Sequence, residues 1–346
     1  MKDTWAVVSL AFILLCCIVS LLGYAITPDR TPNADLQSLE VSLAKPFSTI
    51  EFLKIPKNQT GKKQSLITTI LYGKTSEYTY TPVKNFTMKG DTINADIYIN
   101  YTKGNSIPQK IFFPGAENKI RSTRKIYLLG TDRFGRDVLS RMMIGTRVTM
   151  MVGFIAVLIS VSIGILFGAL AGYFRGWVDN LISWLMNVVW SVPTLLLVLT
   201  ITISFGKGLL PVFIAVGLTM WVDVARIVRG EFLSLREREF VIAGKALGYK
   251  WPRIIFKHVL PNVMASVLVI ASSNFASAIL IESGLSFLGL GAQPPTPTWG
   301  NMIESNRNFI ITEHAHLAFI PGFAIMLLVL AFTMVSNGLK NAMDTR

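Results

Sequence analysis

Acidic residues are scarce in this chain, and so are the residues from which most active sites are built. The 346 residues include 20 Asp plus Glu, three His and two Cys. Charged residues of both signs make up 15%, against roughly 25% in a soluble domain. That deficit argues against a soluble enzyme of this length. Cys16 and Cys17 are neighbours in an apolar run and build no disulfide framework. His258, His314 and His316 are not joined by a Cys/His cluster, so no metal site is expected. An intramembrane hydrolase would need a Ser/His or Asp/Asp pair inside the apolar runs, and none is seen there. The chain has no Gly-x-x-x-x-Gly-Lys-[Ser/Thr] phosphate loop, so any ATP hydrolysis is expected on another chain.

Hydrophobic residues make up 51% and gather in runs. A helix rises about 1.5 Å per residue, so about 20 apolar residues cross a hydrocarbon core of ~30 Å. Trp5–Ile26 carries no charge. No small-x-small cleavage site follows at Tyr24-Ala25-Ile26-Thr27, so this run is read as an uncleaved anchor. Val148–Phe174 is also uncharged and places Ser160, Gly164, Gly168 and Gly172 at every fourth position. Such a stripe lets a second helix approach closely. Further spans are expected over Leu181–Phe205, kinked at Pro193, and over Leu209–Val224, Val263–Ile281 and Leu317–Val335. Their centres lack charge, unlike those of a proton-coupled carrier.

Lys plus Arg number 33, which gives a formal charge of +13. A nucleic-acid partner is not the expected cause. Arg226, Arg229, Arg236, Arg238, Lys245, Lys250, Arg253 and Lys257 lie in one stretch between apolar runs, as in a cytoplasmic loop. Six spans with this loop inside put both termini in the cytoplasm and residues 27–147 outside. The outer segment is also basic, but loops this long largely escape the charge rule.

Residues 27–125 are polar and rich in Lys, Thr and Asn. Asp91–Asn100 alternates apolar and polar residues, the period of a half-buried strand. Phe86–Met88 and the Lys89-Gly90-Asp91 turn precede it, and Tyr78 and Tyr80 suggest a further strand. A small β-containing insert is expected; a long loop is the alternative. Triplets starting at Asn58, Asn85 and Asn100 match glycosylation acceptors, a pattern that arises easily by chance. In Thr131–Met143, Phe134, Val138, Leu139, Met142 and Met143 would share one helical face, opposite Arg133, Arg136, Asp137 and Arg141. An amphipathic helix lying in the membrane interface is expected there, with an architectural role.

In the basic loop, Phe240, Ala243, Gly244 and Leu247 follow helical spacing around a small centre. Gly248 sits where a helix ends, Pro252 can open the next helix, and Pro261 precedes the fifth span. A short helix with such a face suits insertion into a partner's groove, or packing on its own bundle.

The stretch Glu239–Asn262 resembles the loop of ABC-importer permeases, whose pattern is Glu-Ala-Ala, three residues, Gly, and Leu-Pro twelve residues on. Ala243, Gly248, Leu260 and Pro261 match it, while Ile242 replaces the usual Glu and Gly244 the second Ala. Glu239 or Lys245 could supply the polar contact that Ile242 cannot. Gly130–Arg141, Glu282–Gly300 and Asn337–Arg346 resemble the C-type subunit of the dipeptide/oligopeptide (and nickel) permeases. The resemblance is loose over 1–26, close over 126–346, and does not cover the insert. Asn187 and Trp184 stand where that family commonly has Asp and Arg, which implies a lost ion pair and less polar packing.

The resemblance implies an all-α membrane protein with the six helices of the type I ABC importer permease fold. It divides the chain into a first transmembrane helix (1–26), an extracytoplasmic insert (27–125) and a permease core (126–346) with a coupling loop at 226–262. It implies a bacterial inner-membrane subunit that forms half of a path for short peptides. The coupling set is Glu239, Ala243, Gly244, Lys245, Leu247, Gly248, Leu260 and Pro261. Partners would be a homologous B-type permease, two ATPase subunits and an extracytoplasmic substrate-binding protein. ATP and Mg would be bound by the ATPases, with no cofactor, metal or catalytic residue in this chain. Ser272, Ser273, Asn274, Ser277 and Glu282 are candidates for the path, or for hydrogen bonds to a neighbouring helix. Other readings are nickel or another small solute as cargo, and a mechanical ABC-type scaffold, which usually has four spans and lacks the loop pattern ending at Pro261.

Overall fold

A computed structural model describes residues 4–57, 65–100, 106–113 and 120–344. The Asn58 triplet lies outside the described residues. The chain forms two compact units. One comprises residues 1–17, 149–293 and 323–346, and the other comprises 18–148 and 294–322.

The first unit is helical. Uncharged α1 (Thr4–Ile26) and the long α3 (Val138–Phe174) supply part of it. The third expected span is two helices, α4 (Gly176–Ser191) and α5 (Thr194–Phe205), bent by 89° at the break. Pro193 is the N-cap of α5, so the ring that cannot continue a helix stands at the bend. The remaining helices are α6 (Leu209–Leu235), α7 (Glu239–Ala246), α8 (Trp251–Phe287, with a π-helical turn at Ile254–Val259) and α10 (His316–Asp344). Among the described residues, five helices are long and apolar enough to cross a membrane, and six spans result if the bent pair counts as one.

The glycine stripe of α3 packs inside this unit. A Cβ on Gly164 would stand 2.5 Å from Val224 Cβ, on Gly168 2.6 Å from the Ala225 carbonyl, and on Gly172 2.5 Å from Phe232 Cβ. Gly217 returns the relation, its Cβ position being 2.7 Å from Ile159 Cβ. The partner of the stripe is therefore α6 of the same chain. Val224, Val228, Phe232, Val241, Ile255 and Val259 form the buried core that ties α6, α7 and α8 together.

The second unit carries the β insert. Strands β1 (Ser48–Pro56), β2 (Tyr78–Lys89), β3 (Thr92–Tyr98), β4 (Ser106–Phe112) and β5 (Arg121–Tyr127) form one antiparallel sheet, ordered β4-β3-β2-β1-β5. The alternation over Asp91–Asn100 is realised, with Ile93 and Ala95 buried. Tyr78, Tyr80 and Phe86–Met88 belong to one strand rather than two, with a register shift between Val83 and Asn85. Leu53, Val83, Ile93 and Ala95 make a core on one side, and Val41, Ile50, Phe52 and Tyr127 make a second. A short helix, α2 (Leu66–Tyr72), links β1 to β2, and α9 (Trp299–Asn306) is capped by a reciprocal Thr298–Asn301 box.

The amphipathic helix expected over Thr131–Met143 is not formed. Residues 130–137 are a turn closed by a Thr131–Asp137 bridge, and helix begins only at Val138. Asp132 Oδ1 accepts from the backbone N–H groups of Phe134 and Arg136, which holds the turn. Arg136 pairs with Asp132 at 2.7 Å and with Asp35 at 3.0 Å, and Arg136, Asp137 and Arg141 are all buried. Of the supposed polar face, Arg136 and Arg141 belong to an internal ion network with Asp35 and Asp132, Asp137 is bonded to Ser140, and Arg133 is exposed.

Candidate coupling loop and polar groups of the helical unit

Helix α7 stops because Gly248 adopts φ +77°. The Gly248 N–H donates to the Lys245 carbonyl at 3.0 Å and the Tyr249 N–H to the Gly244 carbonyl at 3.0 Å. These two bonds are the Schellman pattern, which satisfies carbonyls that the helix end leaves open. Val241 anchors the helix in the core, and Tyr249 stacks on His258 with ring centroids 5.6 Å apart.

Anchoring by Val241 leaves Phe240, Ala243, Ala246 and Leu247 exposed, the last by 70%. Glu239, Lys245 and Gly248 are exposed beside them. Ile242, which replaces the usual Glu, is 55% exposed. Gly244 does not join this surface. It is buried, with its Cβ position 3.4 Å from the Tyr249 ring. The small centre is thus Ala243 and Ala246. Desolvation and the guanidinium groups of Arg236 and Arg175 hold the Lys245 ammonium below the usual lysine range. Leu260 is half-buried against the core, and Pro261 lies in the first turn of the α-helical part of α8.

The candidate path residues do not share one face. Asn274 is buried and its Nδ2 donates to the Met220 carbonyl on α6 at 3.4 Å. Ser272 donates back to Leu268 of its own helix at 2.9 Å. Ser273 is exposed and Ser277 half-buried. Glu282 has an exposure of 0% and accepts from Ser286 Oγ at 2.7 Å. The fifth helix runs six residues past the expected end at Ile281, which brings Glu282 into it.

A polar seam between α4 and α6 was not expected from the sequence. Arg229 Nη2 donates to Asp179 Oδ2 at 2.7 Å. Ser183 donates to Asp179 at 3.2 Å, and Arg226 donates to Asn187 Oδ1 at 3.1 Å. Arg226 also lies 3.9 Å over the Trp190 ring. Asn187 therefore keeps a polar partner, which corrects the expectation of less polar packing there, and Trp184 points outward. The signal was present: 179, 183 and 187 are four apart, and 226 and 229 three apart.

Against this geometry, residues 164–346 match the family model described as the inner membrane component of binding-protein-dependent transport systems. The chain belongs to this family. It is 41% identical over 229 residues to the dipeptide transport system permease protein DppC of Alkalihalophilus pseudofirmus, covering 66% of this chain and 75% of that protein. It is 37% identical to the glutathione transport system permease protein GsiD of Pectobacterium atrosepticum, over 63% of this chain and 72% of that protein. It is 34% identical to the oligopeptide transport system permease protein OppC of Bacillus subtilis, over 66% and 75%. A solved structure of the inward-facing MetNI methionine ABC transporter is similar at a TM-score of 0.48 and 17% identity, covering 57% of this chain and 94% of that chain. The chain is a multi-pass inner-membrane permease subunit of an ABC importer.

Proposed function

We propose that this permease subunit forms half of an inward path for short peptides and couples it to separate ATPases through α7. The exposed Phe240–Ala243–Leu247 surface, with its small centre and its Gly248 stop, is the observation that carries the coupling role. A groove on an ATPase would receive that surface, with Glu239 and Lys245 at its edge. The peptide cargo is supported by the three relatives, whose names specify dipeptides, oligopeptides and glutathione. The partners are a homologous B-type permease, two ATPase subunits that bind ATP and Mg, and an extracytoplasmic binding protein. Both termini and α7 face the cytoplasm, and the β insert faces outward. The chain itself performs no catalysis.

Nickel is the weaker cargo. A metal path would be lined with His, Cys or carboxylates, and the apolar runs hold few of them. A path of Ser, Asn and small residues tolerates varied side chains.

The test has two parts. Ala243→Arg should leave the protein in the membrane yet abolish co-purification of the ATPase. Growth of a deletion strain on a required amino acid supplied as di- to pentapeptides should fail, while radioactive nickel uptake stays normal. Undiminished ATPase co-purification removes the coupling role, and lost nickel uptake with normal peptide use reverses the cargo.

A further inference from the structure

We infer that the β insert carries a binding site of its own for a small zwitterion, a free amino acid or short peptide, with Lys125 receiving the carboxylate. Two adjoining cavities of about 240 and 250 Å³ share Asp29 and Lys125 in their walls. Arg124, Tyr127 and Asp137 also line the first, and Arg30, Tyr80 and the Lys74–Glu77 ion pair the second. Each lies below the usual range for drug-sized ligands, about 300–1,000 Å³, so the occupant is small.

The Lys125 ammonium is half-buried and lies 4.0 Å over the Tyr80 ring. Among the described residues it has no carboxylate within ion-pair distance and no hydrogen-bond acceptor. Tyr127 is 6% exposed, and its hydroxyl likewise has no partner among them. An ammonium partly withdrawn from water without an anion is costly, and an aromatic face offsets part of that cost. Burial lowers the Lys125 ammonium, while the charges of Asp29 and Asp137 raise it. Burial pushes the Tyr127 phenol up, so it stays a neutral donor.

The aspartates decide what kind of anion fits. Asp29 Oδ1 accepts from the Thr31 N–H at 2.9 Å and the Thr31 hydroxyl at 2.7 Å, and its Oδ2 from the Leu36 N–H at 3.2 Å. Asp137 Oδ2 accepts from the Ser140 N–H at 3.0 Å and from the Ser140 hydroxyl. Their charges are fixed in the wall by these bonds and do not reach out to neutralise Lys125. A simple anion at Lys125 would meet their repulsion, set against the attraction of Arg124 in the first wall and Arg30 in the second. A ligand bringing an ammonium together with its carboxylate satisfies both signs at once, with charge-assisted bonds at Lys125.

This site rests on the peptide reading only for the choice of probe. Trialanine should bind the purified full chain saturably in isothermal titration calorimetry. Trialanine amide and N-acetyl-trialanine should each bind about tenfold more weakly or worse. Lys125→Met should lose trialanine by a similar factor, and the exposed-site control Lys89→Met should not. Equal binding of all three peptides to the wild type, or no saturable binding of trialanine, overturns the site whatever Lys125→Met does to folding. Peptide uptake by the assembled importer is scored separately. Binding without uptake removes the cargo assignment, and uptake without binding removes this site.

Discussion

Gly168 has no room for a methyl group, because its Cβ position stands 2.6 Å from the Ala225 carbonyl and 2.7 Å from Val228 Cβ. Gly168→Ala should therefore destabilise the helical unit by about 1–3 kcal/mol, the usual cost of overpacking. Gly230, also inside α6, has nothing within 4 Å of its Cβ position. Gly230→Ala should be neutral or stabilising by up to about 1 kcal/mol through helix propensity. Thermal unfolding in detergent separates the two, and equal effects would contradict the crossing. The four-residue repeat made this stripe legible in the sequence, though not whether its partner was α6 or another chain. Asp137 was legible only as a polar position. Burial lifts its carboxyl above the usual range, against the opposing bonds from Ser140. Its native pKa then exceeds its unfolded value, the native state holds more protons between the two, and stability falls as pH rises through that window. Asp137→Asn does not titrate. Its stability relative to wild type should climb from about pH 4 toward neutrality. A difference that stays constant across unfolding curves at stepped pH would show that Asp137 carries no such shift.

At the scale of elements, the two misread segments fail for different reasons. In Thr131–Met143 the apolar spacing fits a helix, but Asp132 can bond the N–H groups of Phe134 and Arg136, and a turn satisfies more groups than a helical first turn would. Periodicity counts side chains and does not count these bonds. Arg136→Met should cost about 3–5 kcal/mol, because it removes the nearest cation from the buried Asp132 and leaves Arg141, at 3.9 Å from Asp132 and 3.7 Å from Asp35, to serve both carboxylates. A loss under about 1 kcal/mol in chemical unfolding would mean that the network is solvated like a surface pair. In α7 the spacing predicts the helix and Gly248 its stop, and both are present. The facing of Gly244 differs from that spacing, since it depends on Val241 and Tyr249 docking into a core built from α6 and α8, far along the chain. The strands of the insert were visible through alternation, but their order and the addition of β5 to β1 were not, because pairing between distant strands leaves no local pattern.

At the scale of the whole molecule, the span count followed from hydropathy and length, and the bend at Pro193 from proline chemistry. The spacing of Asp179, Asn187, Arg226 and Arg229 marks a polar stripe on each helix, but that the two stripes meet shows only once α4 and α6 are brought together. The topology proposed for the chain predicts that cysteines introduced by Asp91→Cys and Lys250→Cys, with Cys16 and Cys17 replaced, label from opposite sides of the membrane. Labelling of both from one side would end the six-span arrangement. The central claim, that ATP hydrolysis on partner subunits drives peptides through this permease by way of α7, is tested most directly in proteoliposomes. The assembled importer with its binding protein and labelled trialanine should show ATP-dependent uptake. The same assembly attempted with Ala243→Arg at equal membrane abundance should lose about nine-tenths of it, a factor of about ten or 1.4 kcal/mol. No ATP-dependent uptake by the wild type, or undiminished uptake by the variant, would contradict the account.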